Sequence, residues 1–192
     1  MNIILFLSQL PSFSKHDIDC GNTPPLVYEL IEACRCAFFL SHAIRQDVNF
    51  VIHIYQDDLL ICYQGDKLRY LGPDERSQAL ILRKALLLGR SLNINQSMQS
   101  TPGLRVWKGN YISMLIKFLN NKGIICNPNA PILKTTEIRS MTTFIARLEY
   151  TPLNLRTICE QLDLIERAFP PPYNVASLGT QILYLHHVRD LC

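Results

Sequence analysis

Short apolar runs alternate along this chain with stretches whose apolar residues recur every three or four positions. That alternation constrains the fold more than any other feature. Ile3 to Leu7 reads as a buried first strand. Leu26, Leu30, Ala33, Ala37, Leu40 and Ile44 predict a helix over 26–43, entered through Pro24-Pro25. Asn49 to Tyr55 is a second strand, and Leu59 to Tyr63 and Lys67 to Leu71 read as a hairpin about Gln64-Gly65-Asp66. Asp74 suits the N-cap of a helix from Glu75 to Leu88. Gly89 to Gly103 reads as a polar loop, Val106-Trp107 as a brief strand, Tyr111 to Leu119 as a helix and Ile124-Ile125 as a strand. A turn over Asn127–Pro131 precedes a strand over Thr142–Ala146 and a helix over Leu153–Arg167. Pro170-Pro171-Pro172 stops that helix, Asn174 to Ala176 reads as a last strand, and a final helix starts at Gln181. Strands alternating with helices predict an α/β fold with a mostly parallel sheet, and such sheets bind ligands at the carboxyl ends of their strands.

At 192 residues the chain is read as one domain, 1–192. Lysine and arginine exceed acids by 19 to 16, a net charge of +3 that is compatible with RNA binding without arguing for it. The seven cysteines (20, 34, 36, 62, 126, 159 and 192) are scattered and odd in number, which favours reduced, packed thiols and a cytosolic setting over a disulfide framework. Cys34-Arg35-Cys36 has no second pair at zinc-ligand spacing, so no metal is expected. The first residues lack the basic start and cleavage site of a secretory signal, and no apolar run is long enough to cross a bilayer.

Three stretches carry a resemblance. Phe38 to Val48 (FFLSHAIRQDV) looks like an apolar helix ending in a Ser-His-Gly-Ile-Arg-x-Asp run. Lys67 to Ser77 (KLRYLGPDERS) closely matches a Pro-Asp-Glu-Arg segment, and Ser177-Leu178-Gly179-Thr180 resembles a Ser-Leu-Gly-Pro loop. In that order and spacing they resemble the TrmY-type SPOUT RNA methyltransferases, which methylate N1 of pseudouridine. The chain looks like a divergent, bacterial-type member. It departs from the archaeal pattern at Arg147-Leu148-Glu149, where a Gly-Asp-His-type turn is usual. The resemblance implies a Rossmann-like sheet flanked by helices and closed by a C-terminal trefoil knot, with the knotted cofactor region in about 142–192. It implies a cytoplasmic homodimer that binds S-adenosyl-L-methionine and acts on RNA, transfer RNA first. The cofactor residues it points to are Ile145, Ala146, Ser177, Leu178, Gly179, Thr180 and Cys192, with a further loop near Pro170–Tyr173.

Pseudouridine N1 is an imide-like N–H and a poor nucleophile until its proton is lost. A carboxylate serves as general base there, and an arginine stabilises charge on the ring carbonyls. The resemblance nominates Asp47 with Arg45 as that pair and Glu75 as a second acid–base group. Arg45, Arg69 and Arg76 are its RNA contacts. The residues themselves leave plainer roles open. Asp74 suffices as an N-cap, Glu75 suits a helix start, and Arg45 with Asp47 would make an ordinary surface ion pair. His42 reads as a packed or capping histidine, His186-His187 as a weak metal signal, and Trp107 as core or interface. Two other functions stay open: a dimeric RNA-binding scaffold without a cofactor site, and a SPOUT enzyme acting on another RNA atom.

Overall fold

A computed structural model describes residues 1–109, 123–148 and 164–191. Its eight strands are β1 (Asn2–Leu7), β2 (Asn49–Ile54), β3 (Leu59–Gln64), β4 (Ser97–Thr101), β5 (Leu104–Lys108), β6 (Gly123–Cys126), β7 (Thr143–Arg147) and β8 (Leu164–Arg167). They form one sheet in the order β4-β5-β3-β2-β1-β7-β6-β8. Strands β2, β1, β7, β6 and β8 are mutually parallel, and β3, β5 and β4 extend the β2 edge antiparallel. The described helices are α1 (Lys15–Asp19), α2 (Pro25–Phe38), α3 (Glu75–Ser91), α4 (Thr135–Ser140) and α5 (Leu178–Asp190).

The central strands are buried on both faces, as a doubly covered sheet requires. Ile3, Leu5, Phe50, Ile52 and Phe144 join one core with α2, α3 and α5, while Ile4, Phe6, Val51 and Leu60 on the opposite face are equally inaccessible. Phe38 at the end of α2 meets Phe50 edge-on at 6.4 Å, and Phe50 meets Tyr63 at 6.0 Å. This aromatic group locks the end of α2 over the starts of β2 and the end of β3.

Several predicted elements differ in the structure. Helix α2 ends at Phe38, five residues before the predicted end, because Phe39 turns extended and bridges Ile44. Leu40, counted as part of the apolar face, is 45% exposed. The hairpin forms between β2 and β3 across Tyr55–Asp58, where Asp58 adopts φ +46°, and residues 67–71 are not a strand. The predicted loop over 89–103 contains the last turn of α3 and the edge strand β4. Residues 164–167 are a parallel strand, not the end of a helix, and Tyr173–Val175 is a 3-10 turn where a strand was predicted. Helix α5 starts at Leu178, capped by Ser177. The predicted helix at 111–119, most of that predicted over 153–167, and Cys192 lie outside the described residues.

Candidate functional site

The connection from α2 to β2 is a closed turn. Leu40 N–H donates to the Ala43 carbonyl at 2.9 Å, and Arg45 N–H donates back to Phe38 at 2.7 Å. His42 sits exposed in this turn, unpacked. The turn aims the Arg45 side chain inward, to 14% exposure, and leaves Asp47 exposed. Arg45 and Asp47 are not an ion pair. Arg45 makes a two-pronged bond to Asp190 at the end of α5, with Nη1 donating to Oδ1 at 3.0 Å and Nη2 to Oδ2. That bond holds the Asp190 carboxyl below its usual range. One turn back on α5, burial pushes His186 down to about 4, with Arg45 adding to the effect and Asp190 and Asp47 opposing it. The imidazole is therefore neutral at pH 7. The sequence reading gave Arg45 the wrong partner, weighed His186 only as a metal ligand and overlooked Asp190.

The Pro-Asp-Glu-Arg segment lies against the same edge. Gly65 N–H donates to Val48 at 2.8 Å, and a Cβ at Gly65 would sit 2.3 Å from the Arg45 carbonyl and 2.6 Å from that of Val48. Only glycine permits this approach, so the chain just past β3 packs against the Arg45–Val48 turn. Asp74 acts as the N-cap of α3, accepting Ser77 N–H at 2.8 Å and Ser77 Oγ–H at 2.7 Å, which lowers its carboxyl pKa. Glu75 is half-buried in the first turn. Arg76 donates to Asp19 at 2.7 Å, and Arg69 to its neighbour's Leu68 carbonyl at 2.7 Å. The structure thus gathers Arg45, Asp47, Arg69, Glu75 and Arg76 at one end of the sheet, the amino end of β1 and β2. Ligands of such sheets usually lie at the carboxyl ends of the strands, opposite to this helix-to-strand junction.

The positions nominated for a cofactor form a second group. Ile145 and Ala146 are buried within β7, paired with Ile4 and Leu5 of β1. Ser177 caps α5, accepting Thr180 N–H at 3.3 Å while its Oγ–H donates to Glu32 of α2 at 3.1 Å. Leu178 is buried. Gly179 faces α2, where an added Cβ would lie 2.9 Å from Glu32 Oε1 and 3.0 Å from Cys36 Sγ. Gln181 Nε2 donates to the Tyr173 carbonyl at 3.1 Å, which ties the Pro170–Tyr173 turn to the start of α5. Tyr173 stacks on Tyr184 at 4.3 Å, and Phe169 packs between Tyr184 and Phe144. Two of the three segments expected to flank a cofactor are therefore adjacent. Ten residues of helix separate Thr180 from Asp190, about 15 Å at 1.5 Å per residue.

Among the described residues no three His, Cys, Asp or Glu side chains group as a metal site, and no helix is long and apolar enough to cross a membrane. Cys20, Cys34, Cys36, Cys62 and Cys126 are free thiols, with burial pushing Cys62 up to about 12.

The fold is that of the SPOUT class. The crystal structure of Archaeoglobus fulgidus Nep1 bound to S-adenosylhomocysteine superposes with a TM-score of 0.61, covering 99% of this chain and 96% of that one at 8% identity. Residues 28–130 match the family profile described as "Putative SAM-dependent RNA methyltransferase", and the chain belongs to that family. A tRNA (pseudouridine(54)-N(1))-methyltransferase of Haloferax volcanii is 38% identical over 99 residues, 50% of this chain. The chain spans about half the length of that relative, 47%. The enzyme of the same name from Methanocella arvoryzae is 29% identical over 139 residues, covering 70% of this chain and 69% of that protein. The matched region contains Arg45, Asp47, Arg69, Glu75 and Arg76, whereas Ile145, Ala146 and Ser177–Thr180 lie beyond it.

Proposed function

We propose that this protein is an S-adenosylmethionine-dependent RNA methyltransferase that methylates N1 of pseudouridine in tRNA. The observation that carries the reading is the close approach of Gly65, just past β3, to the carbonyls of Arg45, Gln46 and Val48, which brings the start of the Lys67–Ser77 segment to the same end of the sheet as that turn. Two separate stretches of the family-matched region thereby meet at one end of the sheet. The exposed Asp47 carboxylate is the general base, taking the N1 proton of the target nucleotide. Arg45, neutralised by Asp190 and held against buried His186, positions the turn that carries Asp47. Arg69 and Arg76 face the RNA backbone from the neighbouring segment, and Glu75 there is a second acid–base group.

S-adenosylmethionine would supply an electrophilic methyl group on a sulfonium centre. The fit of this chain to it rests on the Gln181 bond that brings Pro170–Tyr173 beside Ser177–Leu178, close to the buried end of β7. Backbone groups of those segments would read the adenosine, with Cys192 as a bordering residue. Gly179 does not fit a ligand contact, because α2 already fills the space a Cβ would take. That packing favours one second reading, an RNA-binding scaffold without cofactor chemistry.

About 15 Å of α5 lies between Thr180 and the Arg45–Asp190 pair, far more than the ~3 Å spacing of reacting groups. A homodimer resolves this if one protomer's cofactor segment meets the partner's Asp47 edge. On this reading residues 1–192 are one SPOUT domain, with the knotted region in about 142–192.

The test is calorimetric titration with S-adenosylhomocysteine, followed by methylation of a pseudouridine-containing tRNA transcript and nucleoside analysis. Saturable binding and N1-methylpseudouridine are expected, with Asp47→Asn slowing turnover about 100- to 10,000-fold while cofactor binding persists. Folded protein that binds no S-adenosylhomocysteine at millimolar concentration sinks the enzyme reading. Methyl transfer to a different RNA atom sinks its specificity.

A further inference from the structure

We infer that the outer face of the β3–β5–β4 extension holds a single-stranded stretch of RNA several nucleotides from the one that is methylated, a base stacked on Trp107 and its phosphates met by Lys67 and Arg105. This rests on the RNA-modifying reading above and adds a second contact to it.

A cavity of about 610 Å³ opens on this face. Leu104 and Val106 of β5 point into the core, so Arg105 and Trp107 point to the opposite face. Gln99 lies directly across from Arg105. The Arg105 guanidinium stands 5.9 Å from the centre of the Trp107 ring, at the outer limit of a cation–π contact. Its Nη1 donates to Ser97 Oγ at 3.4 Å, which steadies the group at the rim.

One side of the cavity is set by backbone. Gly103 has φ +79°, and a Cβ there would lie 2.4 Å from the Leu68 nitrogen, so the hairpin turn presses against residues 67–68. Gln64 N–H donates to the Gly103 carbonyl at 2.8 Å. This contact brings Lys67 and Gln64 to the mouth beside Arg105.

The lining is chemically selective. Two cations, an indole and two side-chain amides converge, and no carboxylate lines the cavity among the described residues. Cations with an aromatic face and no acid match the combination by which single-stranded nucleic acid is held: phosphate neutralisation plus base stacking. The amides of Gln64 and Gln99 offer both donors and acceptors to a base edge. Position supports the same occupant. Gln64 adjoins Gly65, and β5 lies two strand spacings from β2, about 10 Å. Trp107, in register with Leu60 and His53, lies about 13 Å along the strands beyond the level of Asn49 and Gln64, so RNA with one nucleotide at Asp47 reaches it several nucleotides away.

Trp107 is the chain's single tryptophan, so emission reports on this residue alone. The full chain is titrated with a single-stranded oligouridylate and with a tRNA transcript, following tryptophan emission and, separately, RNA anisotropy. The inference expects a saturable emission change that weakens with salt. Arg105→Ala and Lys67→Ala should each lower the salt dependence by about one counterion. Trp107→Ala should weaken oligonucleotide binding about 10-fold, and Trp107→Phe should restore most of it. Unchanged thermal unfolding of Arg105→Ala guards against a folding artefact.

RNA binding by anisotropy with no emission change, and no effect of the three alanine variants, overturns the inference and leaves the methyltransferase reading standing. An emission change with the oligonucleotide from protein that neither binds S-adenosylhomocysteine nor methylates RNA supports the cavity and removes the methyltransferase reading. An emission change that follows protein concentration and ignores RNA makes this face a contact between copies of the chain and overturns the inference.

Discussion

Gly179 provides the sharpest separation between packing and ligand contact. It lies in the first turn of α5 with its α-carbon against α2, where an added Cβ would stand 2.9 Å from Glu32 Oε1 and 3.0 Å from Cys36 Sγ. Gly179→Ala sets two terms against each other. Alanine favours the helix by about 1 kcal/mol over glycine. The Glu32 carboxylate must swing aside and give up its bond from Ser177 Oγ, a loss of about 1 kcal/mol. The variant is expected to stay within about 1 kcal/mol of the parent. Gly179→Leu adds three more carbons where α2 leaves no room, and overpacking of this kind costs about 1–3 kcal/mol. For a chain of this length, 2 kcal/mol lowers Tm by about 4–8 °C. Thermal unfolding followed by circular dichroism, with calorimetric titration of S-adenosylhomocysteine on the same samples, measures both quantities. The alanine variant should bind as the parent does, and the leucine variant should melt early. Should Gly179→Leu melt with the parent yet lose the ligand, the glycine opens to the cofactor and the packing argument is wrong.

Two further outcomes follow from the same contacts. His186 is buried with a folded pKa of about 4 against 6.5 in the unfolded chain, so its neutral form stabilises the fold above pH 6.5. That contribution fades as pH falls toward 4, with about 2 kcal/mol lost by pH 5. Arg45, Arg189, Asp47 and Asp190 face this histidine, and Asp190 adds a loss of the same sign at lower pH, because its carboxyl is held down. Denaturant titrations at pH 7 and pH 5 should show the difference shrinking in His186→Gln; an unchanged difference removes His186 as a cause. Asp74→Ala removes the N-cap of α3 and should cost about 1 kcal/mol, with Asp74→Asn retaining most of it. A urea midpoint unmoved by Asp74→Ala would show that Ser77 and solvent suffice at that helix end.

The parts of this fold legible in sequence are those whose neighbours are close in the chain or whose burial is complete. Strands β1, β2 and β7 read correctly because Ile3–Leu7, Asn49–Ile54 and Thr143–Arg147 are nearly continuous apolar runs, as parallel strands buried on both faces must be. The Asp74 cap read correctly because Ser77 lies three residues away. Strand β4 did not, since Ser97, Met98 and Gln99 are exposed at the sheet's edge and leave no alternation to detect. The end of α2 failed for the opposite reason: Leu40 and Ile44 continue the helical spacing, yet Ile44 is spent on a bridge to Phe39 that reverses the chain. The site divides the same way. Arg45 and Asp47 were legible only through the resemblance of Phe38–Val48 to a family motif, and the partner of Arg45 lies 145 residues away, on a helix end that offers no local hint. Gly65 was read only as a turn residue, although its lack of a side chain is what lets the chain past β3 press on the carbonyls of Arg45 and Val48. Trp107 read as core or interface because periodicity gives a residue's face and not what covers it. Across from Gln99 and Arg105, on the side of β5 turned away from Leu104 and Val106, the indole borders an open cavity. Local pattern thus encodes which residues form elements, while the chemistry of this edge depends on contacts that only the closed sheet creates.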